Sequence, residues 1–287
     1  MRLAFFSRLV FLITLIVSIP GTVLAQDVVT VVEDSIVSKC IGVTMKFHAT
    51  LPAGYRTSHE RYTTVYLLHG FGGDHTDWVN RSGLTRYANE FRFVFVTPDG
   101  HNGWYTNSLD RKRNYEDFVI DELIPYVDRK YRTLATRHGR VVAGLSMGGY
   151  GAIKLAIRYP ARFILAGSFS GALYVPLGSR PDNKDISESL RETFGQQRSA
   201  QWIKNDPLML LDSIRTVSAL PYFYVATGKD DALGRIVENN RKLVEKFRER
   251  GVLYEYHESS GGHNWQYWDK ELRHFLRRVS SFDPLSP

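Results

Sequence analysis

The stretch that most constrains this chain is Val141-Val142-Ala143-Gly144-Leu145-Ser146-Met147-Gly148-Gly149-Tyr150-Gly151. A short apolar run that reads as a buried strand passes directly into Gly-x-Ser-x-Gly, and a helix-forming run from Tyr150 to Arg158 follows without a spacer. So sharp a reversal needs strained backbone angles at its apex and neighbours with no side chain to collide with strand or helix. Gly144 and Gly148 flank the serine for that reason, and Gly149 and Gly151 extend the close approach. The turn lifts the Ser146 hydroxyl clear of the sheet and aims a helix N-terminus at whatever stands before it. A plain β-to-α turn whose serine caps the helix would use the same letters, so the rest of the chain must separate the two readings.

With 287 residues, 43% of them hydrophobic, the chain can bury one sizeable core, and one domain over residues 26–287 is expected. Residues 1–25 are set apart. Arg2 and Arg8 stand at or before an almost unbroken apolar run, Leu9 to Ile19, and Val23-Leu24-Ala25 supplies small residues for cleavage. This is the pattern of a secretory signal peptide, and its apolar core is shorter than the roughly 20 residues of a membrane helix. The expectation is a secreted or periplasmic protein without stable membrane insertion; an uncleaved N-terminal anchor is the alternative. Cys40, read as a strand residue, is the single cysteine, so no internal disulfide can form. The net charge of +7 comes from Lys and Arg spread along the chain, with no dense basic run and interleaved aromatics. That excludes a nucleic-acid partner and reads as solvated surface.

Strand-like and helix-like segments alternate with short connections, as in a doubly wound, mostly parallel sheet with helices on both faces. Val28 to Glu33 and Val43 to Leu51 read as an antiparallel opening pair. Thr63 to Leu68 is the first run apolar enough for a central strand, and it ends in His69-Gly70-Phe71-Gly72-Gly73. In a serine elbow one oxyanion donor is the amide after the serine, here Met147, and the other comes from a loop after an earlier central strand, here Phe71. The glycines also suit a turn with positive φ angles, and His69 reads as a loop-structuring residue. Residues 174–213 form a polar excursion with two helices, Ile186 to Phe194 and Ala200 to Leu211, either a small cap or ordinary surface structure.

A serine hydroxyl needs a base within hydrogen-bond reach. Of nine histidines, His263 lies after both the serine and an acid, in the glycine-flanked loop Ser259-Ser260-Gly261-Gly262-His263 that follows the last strand. Gly228-Lys229-Asp230-Asp231 places Asp231 in the turn after its strand, the usual seat of the orienting acid, with Asp230 as the alternative. Trp78, Trp104 and Trp265 are candidates to line a substrate pocket; plain core packing is the competing reading for each. No metal or organic cofactor is called for.

With these residues in place, the chain resembles the esterase D-like family of α/β-hydrolases, close to tributyrin esterases and feruloyl esterases and more distantly similar to S-formylglutathione hydrolases and bacterial mycolyl transferases. The resemblance is carried by Leu67-Leu68-His69-Gly70-Phe71-Gly72-Gly73, Trp104-Tyr105-Thr106-Asn107-Ser108, Glu122-Leu123-Ile124-Pro125-Tyr126-Val127, Gly144-Leu145-Ser146-Met147-Gly148-Gly149 and Gly261-Gly262-His263-Asn264-Trp265. It implies an α/β-hydrolase fold, Ser146 as nucleophile, Asp231 as acid, His263 as base and the Phe71 and Met147 amides as oxyanion donors. Asn107 departs from the pattern, since many relatives carry Asp there. The expected activity is hydrolysis of short-chain or feruloyl- and acetyl-type esters, on a small molecule or a polysaccharide. Acyl transfer to a sugar hydroxyl is the alternative, and a non-catalytic carbohydrate-binding scaffold a third reading.

Overall fold

The computed structural model describes residues 28–173, 183–196, 199–233 and 235–283. The export segment expected over residues 1–25, and residues 174–182 of the expected cap, lie outside them.

Eight strands form one sheet: β1 (Thr30–Val37), β2 (Thr44–Leu51), β3 (Thr64–Leu68), β4 (Val94–Pro98), β5 (Arg140–Leu145), β6 (Leu165–Phe169), β7 (Tyr222–Gly228) and β8 (Tyr254–Ser259). Their order is β1-β2-β4-β3-β5-β6-β7-β8. β1 and β2 pair antiparallel, β2 meets β4 antiparallel, and every later pairing is parallel. All residues of β3, β4, β5 and β6 are buried, which is why they read as continuous apolar runs and not as alternating ones. β1 at the edge alternates between half-buried and exposed positions.

On one face lie α1 (Asp77–Arg81), α2 (Leu84–Phe91) and α10 (Trp265–Ser280), whose Trp78, Leu84, Tyr87, Trp268 and Phe275 pack under Phe95, Phe169 and Tyr224. The other face is covered by α3 (Tyr115–Asp117), which runs through a π-helical stretch (Phe118–Leu123) into α4 (Ile124–Lys130), and by α5 (Met147–Arg158) and α9 (Ile236–Arg250). Between β6 and β7 stand α6 (Lys184–Phe194), α7 (Ala200–Asn205) and α8 (Pro207–Ser213), and α8 packs on α5 and α9.

Three sequence expectations change. The helix expected over Ala200 to Leu211 is two helices, because Pro207 has no N–H to continue α7, while the Asp206 carboxylate accepts the Leu208 N–H and starts α8. Cys40 sits in the turn between β1 and β2, not in a strand. Helix α5 begins at Met147, immediately after the serine, so the elbow is tighter than the letters suggested. Among the described residues no helix is long and apolar enough to cross a membrane.

Candidate active site

Ser146 occupies the apex between β5 and α5 with φ 51° and ψ −115°, angles that a non-glycine residue rarely holds. The surrounding backbone fixes it there: the Ser146 N–H donates to the Phe169 carbonyl at 2.9 Å, and the Ser146 carbonyl accepts the Ala172 N–H at 2.9 Å. A Cβ on Gly144 would lie 2.4 Å from the Gly148 carbonyl carbon, and one on Gly148 only 2.2 Å from the Leu68 carbonyl oxygen. The glycines are therefore a packing requirement of β3, β5 and α5. The Ser146 side chain makes no cap hydrogen bond to α5; it reaches His263 instead.

Two loops at the ends of β7 and β8 supply the partners. They press so closely that a Cβ on Gly228 would lie 2.1 Å from the Gly261 carbonyl oxygen. The Asp230 N–H donates to the Gly261 carbonyl, and the Gly261 N–H donates to Asp230 Oδ2 at 3.1 Å. Asp230 thus clamps the loops, while Asp231 turns inward with its side chain fully buried. Asp231 Oδ1 accepts the Leu233 N–H at 3.1 Å and Oδ2 lies 2.8 Å from His263 Nδ1. His263 Nε2 lies 2.9 Å from Ser146 Oγ. An ionised carboxylate only accepts, so the imidazole proton belongs on Nδ1, and Nε2 offers its lone pair to the serine O–H. Trp268 stands perpendicular to the imidazole at 4.9 Å between ring centroids.

The loop after β3 stands beside the serine: a Cβ on Gly70 would lie 3.5 Å from Ser146 Cβ. Its shape is held by His69, which is fully buried. His69 Nε2 accepts the Gly100 N–H and Nδ1 donates to the Gly70 carbonyl, both at 2.8 Å, while the Tyr105 hydroxyl donates to the His69 carbonyl. The Gly72 N–H donates to Asn102 Oδ1 at 2.8 Å. Among the described residues neither the Phe71 nor the Met147 N–H has a hydrogen-bond partner, and Met147 opens α5, where the helix dipole favours negative charge.

The tryptophan expectations divide. Trp78 is fully buried and donates its Nε1–H to the Leu68 carbonyl at 3.2 Å, so it is a core residue and has no face for a substrate. Trp104 is also corrected: its ring is 1% exposed, wedged against Phe71, Tyr150 and Phe194, with Nε1–H donated to Ser189 Oγ. Trp265 is half-buried against Trp78 and Trp268, with the Arg81 guanidinium over its ring. A cleft of about 340 Å³ is walled instead by Phe71, His101, Arg113, Tyr115 and the α6 carboxylates Glu188 and Glu192. The spacing of Asp185, Glu188 and Glu192 on one helical face was the available signal for it.

Sequence reasoning missed a buried ionic cluster behind this wall. The Lys154 ammonium, fully buried on α5, donates to the Tyr105 carbonyl (2.8 Å), Thr106 Oγ1 (2.7 Å) and Glu116 Oε2 (2.6 Å). The Arg158 guanidinium donates to both Glu116 oxygens, and the Tyr159 hydroxyl to Oε1. Burial opposes ionisation of Glu116, but Lys154 and Arg158 outweigh it and hold the carboxyl down at about 2. Burial brings Lys154 down to about 8 against the pull of Glu116. Asn107 exchanges hydrogen bonds with Asp117, donating to Oδ1 at 2.6 Å and accepting its N–H at 3.1 Å.

A mostly parallel eight-stranded sheet, helices on both faces and a serine elbow at the end of a central strand define the α/β-hydrolase fold. The fluorophosphonate-binding serine hydrolase FphF of Staphylococcus aureus shares it, with a TM-score of 0.78 over 88% of this chain and 98% of that one at 24% identity. The sequence model of the Esterase family matches residues 38–279, and the chain belongs to that family, in its esterase D-like branch, as a carboxylic ester hydrolase. It is 29% identical over 227 residues to an acetyl esterase of Caldicellulosiruptor saccharolyticus, covering 77% of this chain and 84% of that protein. It is also 31% identical over 250 residues to an esterase of Mycobacterium tuberculosis, covering 79% of this chain and 54% of that relative.

Proposed function

We propose that the chain is a secreted serine esterase that works through an acyl-enzyme. The observation that carries the reading is the unbroken relay from Asp231 Oδ2 to His263 Nδ1 at 2.8 Å and from His263 Nε2 to Ser146 Oγ at 2.9 Å. His263 takes the serine proton as Ser146 Oγ attacks the ester carbonyl, Asp231 steadies the imidazolium, and the tetrahedral oxyanion is met by the Phe71 and Met147 amides. His263 then protonates the departing alcohol, and water repeats the sequence on the acyl-enzyme. Esters of short-chain or feruloyl- and acetyl-type acyl groups with a sugar-type alcohol are the proposed substrates. Similarity to an acetyl esterase supports the acyl half, and the cleft that Phe71 lines, rich in carboxylate and hydroxyl groups, supports a hydroxyl-rich alcohol half. The export pattern of residues 1–25 fits a polymer substrate outside the cell.

The same cleft favours one second reading, transfer of the acyl group to a sugar hydroxyl in place of water. Hydrolysis of p-nitrophenyl esters from acetyl to octanoyl, and of methyl ferulate, by the protein and its Ser146→Ala variant tests the main reading. The expected loss is about 10⁴-fold or more in kcat, with acetyl and feruloyl esters turned over best. Turnover that appears only when a sugar is added moves the assignment to transfer. Absence of turnover with retained sugar binding leaves a binding scaffold.

A further inference from the structure

Three potential metal ligands lie together at the edge hairpin of the sheet. Glu33 on β1 and His48 on β2 are direct cross-strand partners, so the pleat sets both side chains on one face of the edge hairpin. His75 comes from the loop after β3, beyond Phe71, and is tied to β4 by the Thr97 hydroxyl, which donates to the His75 carbonyl at 2.7 Å. Glu33 Oε2 lies 3.3 Å from His75 Nε2 and 3.8 Å from His48 Nε2. One ligand atom from each of the three residues falls within 4.8 Å of the others.

We propose that Glu33, His48 and His75 bind a zinc-like divalent cation through Glu33 Oε2 and the two Nε2 atoms. Zinc bonds of about 2.0–2.1 Å in a tetrahedron set neighbouring ligand atoms about 3.3–3.5 Å apart. The Glu33–His75 separation already has that value, the Glu33–His48 separation needs a few tenths of an ångström, and the two imidazoles close from within 4.8 Å. Two imidazoles and one carboxylate select a late first-row ion over calcium or magnesium, which take oxygen. Both histidines are held mainly by packing, their rings 4.9 Å apart, and Glu33, with half its side chain exposed, leaves an entry path for the ion.

Two features limit the affinity. Lys46 Nζ holds Glu33 Oε1 at 3.0 Å and repels a second cation, although its exposed side chain can swing away. The Nδ1 atoms of His48 and His75 are buried with no partner among the described residues, so the outer hydrogen bonds that strengthen a metal-bound imidazole are missing. The site therefore belongs to the micromolar range and is distinct from the ester chemistry. Its occupation would fasten the sheet edge to the loop that carries Phe71.

The test is calorimetric titration of the chelator-treated protein with zinc chloride, beside Glu33→Gln and the double variant His48→Gln/His75→Gln, with Tm measured with and without zinc. One zinc per chain with a Kd on the order of micromolar is expected, weakened about tenfold or more in each variant. Zinc should raise the Tm of the parent only. Glu33→Gln alters a half-exposed side chain and decides the matter alone if the double variant does not fold. No saturable binding below about 1 mM zinc, or equal binding by parent and variants, overturns the site and leaves Glu33 and His75 as a polar contact between hairpin and loop.

Discussion

Asp231 and Glu116 are carboxylates that the fold has removed from water, with 0% and 4% of their side chains exposed. Glu116 is saturated by two cations and a hydroxyl, Lys154, Arg158 and Tyr159. Asp231 has one backbone N–H and one imidazole. A carboxylate locked between a lysine and an arginine has no charge left to lend. It fixes geometry, here the Tyr105 carbonyl and Thr106 hydroxyl that Lys154 also holds. A carboxylate whose main partner is an imidazole acquires its counter-ion only when that imidazole takes a proton, and its attraction is therefore largest when the chemistry needs it. Burial makes both effects strong; a partner that is already charged suits a structural role, and one charged only during proton transfer suits the proposed catalytic role.

The widest separation of the two carboxylates comes from Asp231→Asn. The amide can donate to His263 Nδ1 and so favours the wrong tautomer, leaving Nε2 protonated toward the serine. The expected loss is about 10⁴-fold in kcat with the fold retained, measured by ester turnover beside circular dichroism. A loss below about tenfold would remove Asp231 from the relay.

Glu116→Ala is expected to do the reverse. It strands Lys154 in a fully buried site and should cost about 3–5 kcal/mol in urea unfolding, while the surviving folded protein keeps most of its kcat. The acid limb of stability carries the same signature. The folded-state pKa of Glu116 lies at about 2, below the ordinary 4.5, so its contribution is complete above about pH 4.5 and is lost as pH falls toward 2. A Tm profile over that window should be steep for the parent and flatter for Glu116→Gln. Parallel profiles would mean that other carboxylates set the acid limit.

The contrast also explains what could be read from the letters. Ser146, Asp231 and His263 are far apart in sequence, yet each sits in a glycine-bearing turn just after a strand, and the parallel sheet brings those strand ends to one edge. Glu116 and Lys154 are 38 residues apart with no such marker. Lys154 occupies one position of an ordinary helix, and its burial follows from what packs over α5, which periodicity does not encode. Trp78 and Trp104 were ambiguous for a related reason: a tryptophan near a strand end serves a pocket or a core with equal ease, and only the third dimension closes the ring off. The Glu33, His48 and His75 cluster required both the register of β1 on β2 and the path of the loop after β3. The split at Pro207 is legible in the sequence, where the Asp206-Pro207 pair marks a helix start.

The smallest expected effect tests the choice between neighbouring acids. Asp230 is exposed and accepts the Gly261 N–H through Oδ2; an asparagine oxygen can accept the same bond. Asp230→Asn should therefore change kcat/KM by less than about threefold and stability by less than about 1 kcal/mol. Asp230→Ala removes the acceptor and loosens the clamp between the β7 and β8 loops, so its effect should fall on the placement of His263 and not on its charge. That predicts a modest drop in kcat with an unchanged pH profile. If Asp230→Asn instead matched Asp231→Asn, the carboxylate charge in this turn would be acting from the exposed position, and burial with a single ionisable partner would not mark the catalytic acid in this fold.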